Sequence, residues 1–146
     1  MLEEILLEES RRESVVDDCV ALVDSEVASK SGLSGAAVKG AYALVKKIKP
    51  SIITEAVERL LDPFVAKLDP YYVEFTRGDE TDLVNYMQQR SDGIASSLLE
   101  VTDARIDGAQ NRTIQKAYHK LRPSGEKHVQ AAVPGIARVI AKHANA

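Results

Sequence analysis

The chain has 146 residues, and 45% of them are hydrophobic, which suits one globular domain with a core of its own. Lys and Arg number 19 against 22 Asp and Glu, and the net charge of −3 argues against a general nucleic-acid coat protein. The single cysteine, Cys19, excludes an intramolecular disulfide and a cysteine zinc cage, so we expect a reducing, cytoplasmic setting.

The N-terminal segment, residues 1–9, predicts one or two amphipathic helical turns. It is acidic where a signal peptide is basic. No apolar run in the sequence approaches the roughly 18 residues that span a bilayer. Secretion and membrane spanning are therefore both disfavoured.

Helices are predicted along the rest of the chain, because apolar residues recur at helical spacing and no stretch alternates like a half-buried strand. Ser10 and Glu13 have the spacing of a capping box, which opens a helix with Cys19 on its apolar face. Gly32 can take the left-handed backbone that ends this helix, and Ser34 is placed to cap the next one. The sequence thus predicts an all-α, multi-helix bundle.

Proline punctuates the chain after the second of these helices. Pro50 cannot continue that helix, and Ser51 begins a third one with a long apolar stripe. Pro63 either kinks the third helix or begins a new one, and Pro134 poses the same alternative near the C-terminal end.

The segment 69–78 contains proline and glycine and loses the helical period, which predicts a connection. The helical pattern resumes near Asp79 and extends to about Ile106. Large amphipathic side chains in a loop can anchor an interface, and they can equally fill the core between two halves of a chain. The candidate interface residues in this connection are Tyr71, Tyr72 and Phe75.

The second half of the chain resembles the first in the order of its landmarks, allowing for short insertions or deletions. The matched landmarks are Asp24 and Asp103, Tyr42 and Tyr118, Pro63 and Pro134, and the segments 47–51 and 120–124. We therefore expect a single helical domain, residues 1–146, built from pseudo-repeats at approximately 10–68 and 79–144.

Charge alternates along the chain in blocks. Residues 1–26 hold nine acids and two Arg, whereas residues 27–49 hold five Lys and no acid. Residues 50–107 are again acidic, and residues 108–146 are again basic. Exposed ion pairs are worth only about 0–1 kcal/mol each, so this charge guides the orientation of helices more than it stabilises them.

Two basic helix ends carry the sharpest functional signal. A pseudo-symmetric fold would bring them to equivalent places, and Ser51 and Ser124 would each begin a helix whose unpaired N–H groups bind phosphate. Cations in a last helical turn also complement the helix dipole, and this structural explanation is the more economical one. The candidate anion-binding residues are Lys46, Lys47, Lys49, Lys120 and Arg122.

No catalytic, metal or cofactor motif stands out. The histidines lack the i, i+3 or i+4 spacing that puts two ligands on one helical face, and Cys19 fits a small buried hydrophobe. Residues 32–36 approach the nucleophile elbow, but the strand that an elbow requires does not precede them. We predict no metal, no cofactor and no catalytic residue. The three histidines are His119, His128 and His143.

Three segments carry a resemblance: LVDSEVASKSGLSG at 22–35, VKKIKP at 45–50 and YHKLRPS at 118–124. With them, the chain resembles a family of small all-helical bacterial proteins of unknown function. The resemblance implies an all-α fold and a bacterial cytoplasmic setting, and it brings no assigned activity.

We predict a non-enzymatic module that binds a protein partner or associates with itself. The alternative is an anion-binding module for nucleotide or nucleic-acid phosphate. Nucleic acid is not favoured because the chain is acidic overall, and no contact with a membrane is expected.

Overall fold

The computed structural model describes residues 1–109 and 111–145, which form seven helices and no strand. The helices pack as a multi-helix bundle, which confirms the predicted all-α class. In chain order they are α1 (Leu2–Leu6), α2 (Glu9–Ser29), α3 (Gly32–Lys46), α4 (Ile52–Arg77), α5 (Leu83–Gln88), α6 (Ser91–Ile106) and α7 (Arg112–Ala144).

One apolar core joins six of these helices. α7 lies along α5 and α6, while α4 packs against α1, α2 and α6. Burial of each large apolar side chain contributes about 1.5–3 kcal/mol. α3 is the exception, since Gly35 is its only buried residue. The largest fully buried side chains are Leu2, Val15, Val65, Met87, Ile94, Val133 and Ile140.

The starts of α2 and α3 differ from the predicted caps. α2 begins at Glu9 behind Glu8, so Ser10 lies in its first turn and the predicted capping box is wrong. The chain turns early because Leu2 and Leu6 of α1 are buried in the core. The predicted cap at Ser34 is also wrong, since that residue lies inside α3.

The connection between α2 and α3 is short. Ser31 is the N-cap residue of α3, and Gly32 has a φ of +74°. This is the left-handed backbone that glycine adopts without strain. The predicted left-handed backbone of Gly32 is confirmed, but its predicted role is wrong: α2 already ends at Ser29 with an extended C-cap residue, Lys30, and Gly32 is the first residue of α3.

α4 continues through both of its prolines, Pro63 and Pro70, and ends at Arg77. Of the two alternatives at Pro63, one long helix is therefore the observed one. The connection predicted over 69–78 is wrong, because residues 69–77 form the last third of α4. Aromatic side chains of this part pack against the core, and such tertiary packing stabilises a helix more than its local propensity does.

The helix predicted from about Asp79 to Ile106 is divided into α5 and α6. Asp82 caps α5, because its Oδ1 accepts the backbone N–H of Asn85 at 3.1 Å. Arg90 lies between the two helices, and its guanidinium stands 3.6 Å from the centre of the Tyr86 ring. A cation–π contact between Arg90 and Tyr86 thus lies at the break between α5 and α6.

α7 is the longest helix, with 33 residues, and Asn111 caps it by accepting the Thr113 N–H at 2.8 Å. The helix continues through Pro123 and Pro134. Ser124 therefore begins no helix, and the prediction that it does is wrong. The core contacts of the second half of α7 keep the helix in one piece.

The C-terminal end of α7 is fastened to α2. Asp18 accepts Lys142 Nζ at 2.9 Å and pairs with His143 Nε2 at 2.7 Å, and the Lys142 contact is the main cause that lowers the pKa of Asp18. Gly135 lies where the two helices cross. A Cβ on Gly135 would stand 2.3 Å from Leu22 Cδ1, so the α7 backbone rests directly on that leucine.

Candidate interaction surfaces

α3 exposes an apolar row that nothing in the described chain covers. Leu33 is 95% exposed, Leu44 50% and Ile48, just beyond the helix, 37%. Among residues 1–109 and 111–145, Met1 is the only other large hydrophobic residue with comparable exposure. We call this row the α3 stripe; it consists of Leu33, Ala36, Gly40, Leu44 and Ile48.

The stripe exists because α3 is apolar nearly all the way round. Its inner face, which includes Val38, Tyr42 and Val45, is partly covered by the bundle. A helix with apolar residues on both faces is typical of one that is covered on both. The bundle covers one face of α3 and leaves the other open.

Positive charge surrounds the α3 stripe. Lys39, Lys46, Lys47 and Lys49 are exposed, and residues 27–49 contain no acid; of these four lysines, Lys49 pairs with Glu55 of α4. The fifth lysine, Lys30, is mostly buried and pairs with Glu26 of α2 at 3.6 Å. The open face of α3 thus combines apolar side chains with surplus cations.

The candidate anion-binding residues of the first basic end are partly engaged. Lys46 Nζ stands 5.0 Å from the centre of the Tyr42 ring. Lys49 Nζ pairs with Glu55 at 2.9 Å, and that contact lowers the pKa of the Glu55 carboxyl. Lys47 is exposed.

The second basic end is engaged in a different way. Arg122 donates from Nε and Nη2 to both oxygens of Asp103, at 2.9 and 3.0 Å, whereas Lys120 is exposed. No hydrogen bond or ion pair within residues 1–109 and 111–145 joins this end to the first one. Ser124 also supplies no helix N-terminus. Anion binding by the two ends stays a prediction.

Both helical hairpins contain a tyrosine–aspartate contact. The Tyr42 hydroxyl donates to Asp24 between α3 and α2, and the Tyr118 hydroxyl donates to Asp103 between α7 and α6. Burial is the first cause that raises the pKa of each tyrosine, and the aspartate is the second. Arg122, followed by Tyr118, lowers the pKa of Asp103. The two contacts join landmarks of the predicted repeat, which itself stays a prediction.

The aromatic candidates of the predicted connection all lie on α4. Tyr71, Tyr72 and Phe75 are partly buried and pack against the core. The Phe75 ring meets the ring of Tyr86 edge to face, with centres 5.3 Å apart. A Cβ on Gly93 would stand 2.8 Å from the Tyr71 hydroxyl. Each side chain thus has a core contact, and a role in an interface stays a prediction.

A groove of about 880 Å³ separates the start of α4 from the junction of α6 and α7. We call it the α4/α7 groove. Ile48 belongs to both the groove and the α3 stripe. The apolar lining includes Ile52, Leu60, Ile106 and Ile114; the small residues are Ala56, Ala104, Gly108 and Ala109; the charged residues are Lys49, Glu55, Arg59 and Arg105.

Burial, rather than a catalytic or metal-binding arrangement of described residues, characterises the surroundings of Cys19 and His128. Burial raises the pKa of the Cys19 thiol to about 11, which keeps it protonated at neutral pH. His128 Nε2 is buried without a hydrogen-bond partner among the described residues, and burial, then Lys30 and Lys127, lowers its pKa. Within 1–109 and 111–145, no three His, Cys, Asp or Glu side chains are grouped to hold a metal ion.

No helix in the described ranges is long and apolar enough to cross a bilayer. The model of a family of unknown function, DUF6918, matches residues 2–144. The chain belongs to this family. No curated protein and no solved structure matches it. Membership in DUF6918 confirms the resemblance to an all-helical family of unknown function, and what the chain does has to be argued from its surfaces.

Sequence reasoning missed both surfaces of this DUF6918 chain. The α3 stripe had a visible signal, since Leu33, Gly40 and Leu44 form a second apolar row beside the inward one. The α4/α7 groove had none, because its walls come from residues about 50 positions apart in the sequence.

Proposed function

We propose that the chain is a non-enzymatic, cytoplasmic interaction module that binds a protein partner through the α3 stripe. The carrying observation is the exposure of Leu33 and Leu44 on a helix that is apolar on both faces. Contiguous exposed apolar residues with a polar rim are typical of protein-binding surfaces. Here the rim is made of lysines.

The charge around the stripe supports a partner with an acidic surface. Two copies that met through α3 in a symmetric pair would bring lysines against lysines, since residues 27–49 hold no acid. An acidic surface would instead be attracted, and its orientation would be fixed by the same lysines.

The test compares partner retention by two variants of the full chain. Leu33→Ser/Leu44→Ser removes the two most exposed apolar side chains of the stripe, and Ala21→Ser/Ala28→Ser changes two exposed alanines of α2 as the matched control. Each tagged protein is purified gently from its host and analysed by native mass spectrometry. Circular dichroism checks that both variants keep the fold.

We expect the wild type and the control to carry the same second polypeptide and the stripe variant to lose it by tenfold or more, as hot-spot loss predicts. A partner that the stripe variant retains would contradict the proposal. A wild type found only as bare chains, or only as copies of itself, would contradict it as well.

A further inference from the structure

The α4/α7 groove has the shape of a seat for one more helix. The start of α4 forms one wall, and the end of α6 with the start of α7 forms the other. A helix of about 10 Å diameter, sunk to half its width, fills 880 Å³ over about four turns. Small residues on the walls, Ala56, Ala104 and Gly108, allow its backbone to approach to the usual interaxial distance of about 8–10 Å.

The floor of the groove calls for apolar anchors. Ile52 and Leu60 face it from α4, and Ile106 and Ile114 face it from the other wall. An amphipathic helix that lays its apolar row into such a groove gains affinity by covering these side chains.

The rims of the groove call for acidic flanks. Arg59 and Arg105 are exposed on opposite walls, and neither makes an ion pair or a side-chain hydrogen bond with residues 1–109 or 111–145. The third cation of the lining, Lys49, already pairs with Glu55. Arg59 acts on Glu55 only at longer range, as the last of the causes that lower the pKa of that carboxyl. Two arginines without a directly paired carboxylate therefore border an apolar floor, and glutamates on both sides of an apolar row complement them.

The openness of the groove favours a helix over a small molecule. Small-molecule sites bury about 70–90% of their ligand. Here Ala56, Ala104, Arg105 and Gly108 are all exposed along the walls, so an occupant keeps one side in water. A surface helix has such a wet side.

We propose that the α4/α7 groove binds an acidic amphipathic α-helix of the partner protein. This inference rests on the proposed function and adds the class of segment that the partner contributes. Ile48 makes the groove continuous with the α3 stripe, so one partner reaches both surfaces.

The probe is a yeast-displayed library of 18-residue amphipathic helices. One face carries Leu, Ile or Val, and the polar face is randomised among Glu, Lys, Gln and Ala. The library is sorted on the full chain, and individual clones are then titrated. We expect glutamate-rich helices to be enriched. Lysine-rich or neutral helices, or no enrichment at all, would overturn the inference.

A matched pair of variants locates the binding. Ala56 and Ala66 are both exposed alanines of α4, and only Ala56 lines the groove. Ala56→Trp should fill the groove and weaken the selected helices at least tenfold, whereas Ala66→Trp should leave the affinity unchanged. Equal affinity for both variants would place the helices elsewhere and overturn the inference. Ala104→Trp repeats the test on the other wall if Ala56→Trp fails to fold.

Charge reversal tests the role of the arginines. Sorting the same library on Arg59→Glu/Arg105→Glu should enrich lysine-rich helices instead of glutamate-rich ones. An unchanged preference for glutamate would show that these arginines do not select the ligand and would overturn the acidic part of the inference.

The proposals for the groove and for the stripe can be refuted independently of each other. Leu33 and Leu44 lie outside the groove lining, so Leu33→Ser/Leu44→Ser should keep the affinity for selected helices. Loss of the natural partner in that variant without any selected helix would refute the groove alone. Selected helices together with a partner that the stripe variant retains would refute the stripe alone.

Discussion

Two segments of this chain have nearly the same sequence and different structures. Residues 47–51 read KIKPS and residues 120–124 read KLRPS. At the first, α3 ends and α4 begins at Ile52; at the second, α7 continues for twenty residues beyond Ser124. Both segments contain a proline, which lacks the N–H donor that a helix needs, so the proline alone does not decide the outcome.

The carboxylate that each segment reaches separates the two outcomes. Lys49 and Ser51 both bind Glu55, in the first turn of α4, at 2.9 and 3.0 Å, and this contact fastens the turn to the new helix. Arg122 instead binds Asp103 on α6 and holds α7 against that helix. A local contact thus accompanies the break, whereas a contact between two helices accompanies the continuous helix.

The largest expected effect comes from comparing how deeply α7 and α3 are buried. α3 precedes the first segment, and α7 contains the second. Ile140 of α7 is 2% exposed, whereas Leu44 of α3 is 50% exposed. Ile140→Ala should lower the free energy of unfolding by about 2–5 kcal/mol, because it opens a cavity in the core. Leu44→Ala should lower it by less than about 1 kcal/mol.

Urea denaturation followed by circular dichroism measures both values. Similar losses for the two variants would show that α3 is as deeply packed as α7 and would remove the basis of the comparison.

The next largest effect comes from replacing the proline of each segment with alanine. Pro123→Ala restores a hydrogen-bond donor inside α7 and should stabilise the protein by about 1–3 kcal/mol. Pro50→Ala increases the conformational entropy of the unfolded chain, because alanine is less restricted than proline. This substitution should therefore destabilise the protein by about 0.4–1 kcal/mol. Thermal denaturation of the two variants is expected to shift in opposite directions. A shift in the same direction would mean that the two prolines have equivalent surroundings.

The smallest effect concerns His128 of α7, which lies near Lys30 at the C-terminal end of α2. The pKa of His128 lies below 6.5 because of burial and because Lys30 and Lys127 are near. The unfolded state therefore binds the proton more readily, so the stabilising contribution is complete above pH 6.5 and is lost as the pH falls toward the folded pKa. His128→Gln should reduce the change of the urea midpoint between pH 7 and about pH 5.

Acidic groups limit the pH window of that measurement. The pKa values of Asp18, Asp62 and Asp103 are lowered by their cationic partners, so their stabilising contributions are lost only below the usual carboxyl pKa of 3.8. A slope between pH 7 and 5 that persists in His128→Gln would assign the dependence to another group.

The all-α fold could be predicted because the apolar period of helices is a local signal. The positions of the breaks could not. The run over 69–77 loses its period, yet Tyr71, Tyr72 and Phe75 pack on the core and keep it helical. Ser124 follows a proline as Ser51 does, yet it lies within a helix that the core supports. Such outcomes depend on neighbours that are distant in the sequence.

The candidate site was predictable in part for the same reason. The basic end that includes Lys49 is visible in the sequence, and Lys49 does line the groove. The exposed face of α3 has a periodic signal, but its exposure depends on which of two apolar faces the bundle covers. The groove requires the α6–α7 junction to stand opposite the start of α4, and no local pattern reports that distance.

The crossing at Gly135 has a consequence for sequence variation within the family. Because the α7 backbone rests on Leu22, any side chain added at position 135 takes space that Leu22 Cδ1 occupies at 2.3 Å. Homologues with alanine or serine at 135 should therefore either turn the Leu22 side chain away from α7 or carry a smaller residue, such as alanine or valine, at that position. Positions 22 and 135 are expected to covary although they stand at opposite ends of the chain.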